Sequence, residues 1–288
     1  MPTVMTLLDW LVPWEPSPLT LLAFAVVGAL YLRGSRRSPL SAPWPRQLAF
    51  WLGFAVLYVG LQSQLDYYAE HEFFIHRLQH LGLHHLGPFL IALAYPGATL
   101  RRGLPLRWRT RGLNPLLRTA PVRWTLDVLL NPVVAGALFV GLIYFWLWPA
   151  VHFDAMLDAR LYRVMNTSMA VDGLLFWWLI LDPRPRPPAR LAPGVRVLLA
   201  LAVMPPQIAL GAYISFTRRD LFPLYSLCGR AMGGISPATD QLLGGLVTWI
   251  PASMMSVIAA LLALRHWMAL SQRGRLPQRR RGAISPRR

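Results

Sequence analysis

The 288-residue chain is 55% hydrophobic and 14% charged, against roughly 25% charged residues in soluble domains. That balance excludes an ordinary soluble protein. The formal net charge of +17 comes from 29 basic residues, all of them Arg, so nucleic acid stands as a partner until their distribution is read.

Stretches without Asp, Glu, Lys or Arg cover 16–32, 47–65, 78–100, 128–153, 197–217 and 241–264, and 164–181 is interrupted only by Asp172. Each is near or above the ~17–25 residues that a helix needs to cross the hydrocarbon core. The expected fold is therefore an all-α integral membrane protein, a bundle of seven transmembrane helices. Residues before 16 include Asp9 and Glu15 and no Arg, which argues against a cleaved signal peptide.

Loops 33–46, 97–125 and 182–196 carry four, seven and four Arg, and the tail from Arg265 carries eight. The intervening loops carry five: Arg160, Arg163, Arg218, Arg219 and Arg230. Acids lean the other way, with Asp9, Glu15, Asp66, Glu70, Glu72, Asp154, Asp158, Asp220 and Asp240 in the Arg-poor compartments. The positive-inside rule then puts the N-terminus outside and the C-terminus in the cytoplasm. The basic excess is a topology signal, so the bilayer is the expected partner and nucleic acid is not.

Trp10, Trp146 and Trp148 read as interface anchors. The prolines of "DPRPRPPAR" suggest a stiff, extended linker. "MPPQ", Met204 to Gln207, should break or kink the sixth helix, and Pro251 the seventh. Residues 1–268 read as one membrane domain and 269–288 as a basic, disordered cytoplasmic tail. Cys228 is the single cysteine, which excludes a disulfide framework.

The third helix carries the chemistry. "EHEFFIHRLQHLGLHH", Glu70 to His85, holds five of the seven histidines. At about 100° per residue, Glu72, His76, His80 and His84 share one broad stripe, and His85 points about 100° away from His84. Imidazoles four apart can grip one ion. His76 and His84 lie about 12 Å apart along the axis, so one ion cannot take all three in an undistorted helix. On the fifth helix, Asp172 lies about 14 Å from its outer end, level with His80 at about 12 Å, with Asn166 and Met169 nearby. Asp240, Gln241 and Thr248 open the seventh helix, Thr248 at a similar depth. Ionisable groups at such depth are costly and mark functional paths. Imidazole suits several transition metals, and adjacent thioethers lean toward copper. Haem held by two histidines is the alternative cofactor, but it needs His on two facing helices. His152, in or near an external loop, and His266, at the inner end of the seventh helix, are not expected to face helix three.

Three segments together resemble a known family: "YYAEHEFFIHRLQHLGLHHLGPFLIALAYPG", "MNTSMAVDGLLFWWLILDPRPR" and "TDQLLGGLVTWIPASMM". They are similar to the multi-pass CtaG type of cytochrome c oxidase assembly factor, over roughly residues 60–265. The resemblance implies a seven-helix protein of the bacterial inner membrane that helps mature a haem–copper oxidase by supplying copper. It also implies partners such as oxidase subunit I or another assembly factor. The family's helix-three histidines map onto His76 and His80. Many members carry a further histidine before the Gly-Leu-Leu-Phe-Trp run. Here that region reads "RVMNTSMAVDG" and has none. The expected metal ligands are therefore His76, His80, His84 and Asp172, with Met169, His85, Glu72, Asp240 and Asn166 as further candidates.

A copper transporter and a haem-binding redox protein are the competing functions. Beyond His85 the third helix reads "LGPFLIALAYPG", which offers a transporter no polar continuation. No nucleotide-binding loop, nucleophile triad or paired catalytic carboxylates appear, so an enzyme is not expected.

Overall fold

A computed structural model describes residues 12–37 and 42–274. Trp10, Asp9 and most of the basic tail lie outside the described residues. All regular structure within them is helical. α1 (Pro18–Arg36) is capped by Ser17, whose Oγ accepts from the Thr20 N–H, and Pro18 sits in the first turn, where its missing N–H costs nothing. α2 (Trp44–Leu61) is followed by α3 (Leu65–His71), bent from it by 53°. α4 (Phe73–His80) passes directly into a π-helical turn, Leu81–Leu86, and then into α5 (Gly87–Ala94). The Arg-rich stretch after it folds into short helices: α6 (Gly97–Gly103), α7 (Leu106–Trp108), α8 (Asn114–Arg118) and α9 (Ala120–Leu129). α10 (Pro132–Trp146) turns 69° from α9. Then come α11 (Pro149–Leu157), α12 (Ala159–Leu181), α13 (Pro193–Ala202), α14 (Met204–Phe216), α15 (Leu224–Leu227) and α16 (Pro237–Gln272).

By length and composition, α1, α12, the α13–α14 run and α16 can each cross a membrane. The count rises to six if the bent pairs α2–α3 and α9–α10 each form one span. The remaining expected segment falls on α4, the π turn and α5, which are eight, six and eight residues long and each too short alone.

"MPPQ" does interrupt its helix: α13 ends at Ala202 and α14 begins at Met204, with Val203 between them. Pro251 does not, because α16 continues through it from Pro237 to Gln272. The proline-rich linker is not an extended spacer. Ala189 N–H donates to the Pro185 carbonyl at 3.0 Å, turning the chain. The buried Arg196 guanidinium gathers the carbonyls of Asp182, Arg184 and Leu191. Trp146, expected at the membrane interface, is 5% exposed, with Nε1 donating to Ser168 Oγ, whereas Trp148 is 66% exposed. The reason is position: Trp146 ends α10 on the side facing α12, within an apolar cluster that includes Tyr162 and Met165.

One contact sets the approach of α12 to the histidine helix. Pro88 has no N–H to give the His84 carbonyl four residues earlier. The Trp177 indole Nε1–H donates to that carbonyl at 3.1 Å. Four residues before Trp177, on the same face, Gly173 lets the two backbones meet: a Cβ there would lie 2.4 Å from the His84 carbonyl oxygen. The obstacle is backbone, so it cannot rotate away. Gly173→Ala should destabilise the protein by about 1–3 kcal/mol, the usual cost of overpacking. Thermal unfolding of the detergent-solubilised protein should show this as a lowered Tm, and an unchanged Tm would refute the close approach.

Candidate metal centre

The first turn of α4 is fixed by groups from α16 and the segment before it. Asp240 accepts from the free N–H groups of Phe73 (3.0 Å) and Phe74 (2.8 Å), doing from another helix what an N-cap does locally. Arg230 joins Asp240 and Glu72, at 2.9 Å to each. Glu72 also accepts from Met232 N–H at 3.0 Å. Both carboxylates are buried. Along α16, Asp240, Gly244 and Thr248 recur every fourth residue and all face α4. Gly244 makes room for the Phe73 ring, and Thr248 Oγ1 accepts from Arg77 Nε at 2.9 Å. Asp240 and Gly244 of the Asp-Gln…Gly-Gly pattern are thus a docking face for the histidine helix, while Gln241 and Gly245 turn to α14 and the segment after it. Glu72 and Asp240, candidates for a metal, both pair with Arg230.

Below this clamp the histidines divide. The rings of His76 and His80 lie 4.4 Å apart, centroid to centroid, and both are buried. His80 Nε2 donates to Asn166 Oδ1 at 3.0 Å, and its Nδ1 has no hydrogen-bond partner. Neither nitrogen of His76 has one. His84 Nε2 pairs with Asp172 Oδ2 at 3.0 Å, leaving its Nδ1 without a partner, and its ring stacks on Phe139 at 4.1 Å. His85 Nε2 reaches Gln207 Oε1 on α14 at 3.1 Å.

Asp172 therefore meets His84, not the expected His80. The offset has a simple source. α12 begins at Ala159, about four residues earlier than the 14 Å depth supposes, so Asp172 lies about 20 Å along it, and His84 lies about 18 Å beyond Glu72. Asn166 takes the level of His80. Among the described residues, no three His, Cys, Asp or Glu side chains close around one point to hold an ion. The four expected ligands form two pairs, His76 with His80 and His84 with Asp172.

Two cavities flank the histidines. One, a small cleft, is lined by Arg77, His80, His84, His85, Met169 and Thr248 among others. Met169 is buried there, whereas Met254 is 61% exposed and Met255 packs into a different cluster. The other includes Glu15, Asp66, Tyr162 and Asn166 in its walls, so Asn166 stands between it and His80.

His152 is the residue that spacing placed wrongly. α11 folds over the end of α4, and the His152 ring lies 5.0 Å from that of His76. It is 1% exposed, with Nδ1 at 3.0 Å from the Trp146 carbonyl and Nε2 at 2.9 Å from the Tyr225 hydroxyl. Burial pushes its pKa down to about 4, so the ring is neutral at pH 7. Periodicity on one helix cannot reveal a partner 76 residues away, and the one available hint was that few histidines occur elsewhere. His71, by contrast, stays at the rim with Nδ1 at 2.6 Å from the Tyr67 carbonyl.

No curated protein and no solved structure matches this chain. The family model for the cytochrome c oxidase caa3 assembly factor (Caa3_CtaG) matches residues 29–269, from within α1 to the last turn of α16. With the histidine helix and its docking faces on α12 and α16 all inside that match, the chain belongs to the cytochrome c oxidase caa3 assembly factor family.

Proposed function

We propose that this protein holds copper transiently in the outer half of a bacterial inner membrane and passes it to a haem–copper oxidase during assembly. The receiving partner is oxidase subunit I or another assembly factor, and the role is non-catalytic. The observation that carries the reading is the His76–His80 pair. Two adjacent buried imidazoles leave three nitrogens without hydrogen-bond partners, and buried polar atoms are ordinarily satisfied. At least one lone pair on each ring is free for a metal, and imidazole is a good copper ligand. Met169 supplies a thioether close to His80 and His84.

In this reading the membrane is crossed seven times, with the N-terminus outside, the C-terminus in the cytoplasm and the α4–π–α5 run as the third span. Helical geometry is unbroken from Phe73 to Ala94, which supports treating it as one crossing. The cavity bearing Glu15 and Asp66 would then open to the outside, where carboxylates raise the local cation concentration. Past His85, α5 is wholly apolar, which favours a holder over a transporter. Reporter fusions at Arg109 and the C-terminus should read cytoplasmic, and fusions at Asp66 and Asp158 external. An external C-terminus would overturn the orientation.

Replacing His76 or His80 with Ala should remove bound copper, measured by elemental analysis of purified protein, and lower oxidase activity in cells. The folded protein should persist, since polar contacts between membrane helices average only ~0.6 kcal/mol. Full copper content and normal oxidase in both variants would sink the metal reading. Asp172→Asn, which keeps an oxygen acceptor for His84, should leave copper content unchanged if the outer pair is the site. Loss of copper in that variant would move the site inward.

A further inference from the structure

We infer that His152 supplies a third imidazole to the His76–His80 site, and that the Tyr225 hydroxyl covers its ligating nitrogen until copper displaces it. This rests on the copper reading above and adds a ligand and a gate to it.

Two of the three ring spacings have the right scale. A metal–nitrogen bond of about 2.0–2.1 Å puts an imidazole centroid about 3.1 Å from the ion, so two such rings at a tetrahedral angle lie about 5 Å apart. The His76 ring is 4.4 Å from that of His80 and 5.0 Å from that of His152.

The hydrogen bonds of His152 assign its tautomer. The Trp146 carbonyl can only accept, so Nδ1 carries the proton and Nε2 presents a lone pair to the Tyr225 O–H. A ring N–H donated to a backbone carbonyl is the usual way a metal-binding histidine is oriented, with the opposite nitrogen left for the metal. The support behind it is rigid: Trp146 is buried and tied to Ser168 at 3.1 Å. Across the gap, His76 is fully buried with two nitrogens that bond to nothing. Whichever of them bears hydrogen, the other offers a lone pair.

With Nε2 turned to Tyr225, the three imidazoles do not converge. Loading exchanges one O–H···N hydrogen bond for one nitrogen–metal bond. Tyr225 keeps its proton, and because its oxygen is fixed on the ring axis, the whole phenol ring shifts to clear Nε2. Tyr225 lies on α15, in the same connecting segment as Arg230, which clamps the start of α4. The gate and the anchor of the site thus belong to one piece of chain.

Purified full-length protein, titrated with Cu(I) against a chromophoric chelator and studied by copper X-ray absorption, tests this. Wild-type protein should show scattering from three imidazoles, and His152→Gln from two, with affinity lowered at least tenfold. Tyr225→Phe, which keeps the ring in its apolar packing, should bind several-fold more tightly because nothing competes for Nε2. Should His152→Gln fail to fold, the Tyr225→Phe affinity and the wild-type imidazole count still decide. Two imidazoles in the wild type, or equal affinity in all three proteins, overturns the third ligand and leaves the copper reading standing. No Cu(I) bound by the wild type overturns both.

Discussion

The hydrogen bond from the Trp177 indole to the His84 carbonyl governs how the interior is arranged. Inside a bilayer, a carbonyl released by proline has no water to turn to, so a neighbouring helix has to supply the donor. Trp177 does so, and Gly173 admits the close approach it requires. Once these two residues fix α12 against the histidine helix, the remaining pairings follow by helical repeat. Asp172 falls beside His84, and Asn166 beside His80. A polar interior this dense survives because most of its members have partners drawn from different helices. The nitrogens of His76 stand apart from that pattern.

The other end of the histidine helix is held by charge. Asp240 and Glu72 share Arg230, and Asp240 also closes the exposed N–H groups of α4. Breaking one member of such a buried group would strand the others, which is why these pairs are costly to disturb even where their net stabilisation is small. Acidic residues near a proposed metal route would ordinarily be read as ligands. Here they define where the helix starts, and so the height at which His76 and His80 sit.

Much of this was legible in the chain itself. Charge-free runs located the helical segments, and fourfold spacing brought His76 and His80 together as expected. What the sequence could not supply was relative height between helices. A start four residues earlier on α12 moved Asp172 from His80 to His84. The π turn is equally silent in a periodicity argument, though Gly82, Gly87 and Pro88 around it are residues that tolerate irregular backbone. His152 was hidden for a different reason: its proximity to His76 depends on α11 folding back, a tertiary event with no local signature. Trp146 shows the same limit, since an aromatic residue at a helix end fits an interface belt and a buried core equally well.

The π turn that begins after His80 and runs through His84 and His85 also makes the helix phase adjustable. A π segment differs from an α-helix by one residue in its winding, so losing a single residue there would rotate everything beyond it by about 100° while leaving the first two turns in place. The His76–His80 half and the His84–His85 half can therefore diverge independently. One face can keep its register with α16 while the other is re-aimed at α10, α12 or α14. In evolutionary terms, the helix is two modules joined at a point where a one-codon change resets their relative angle.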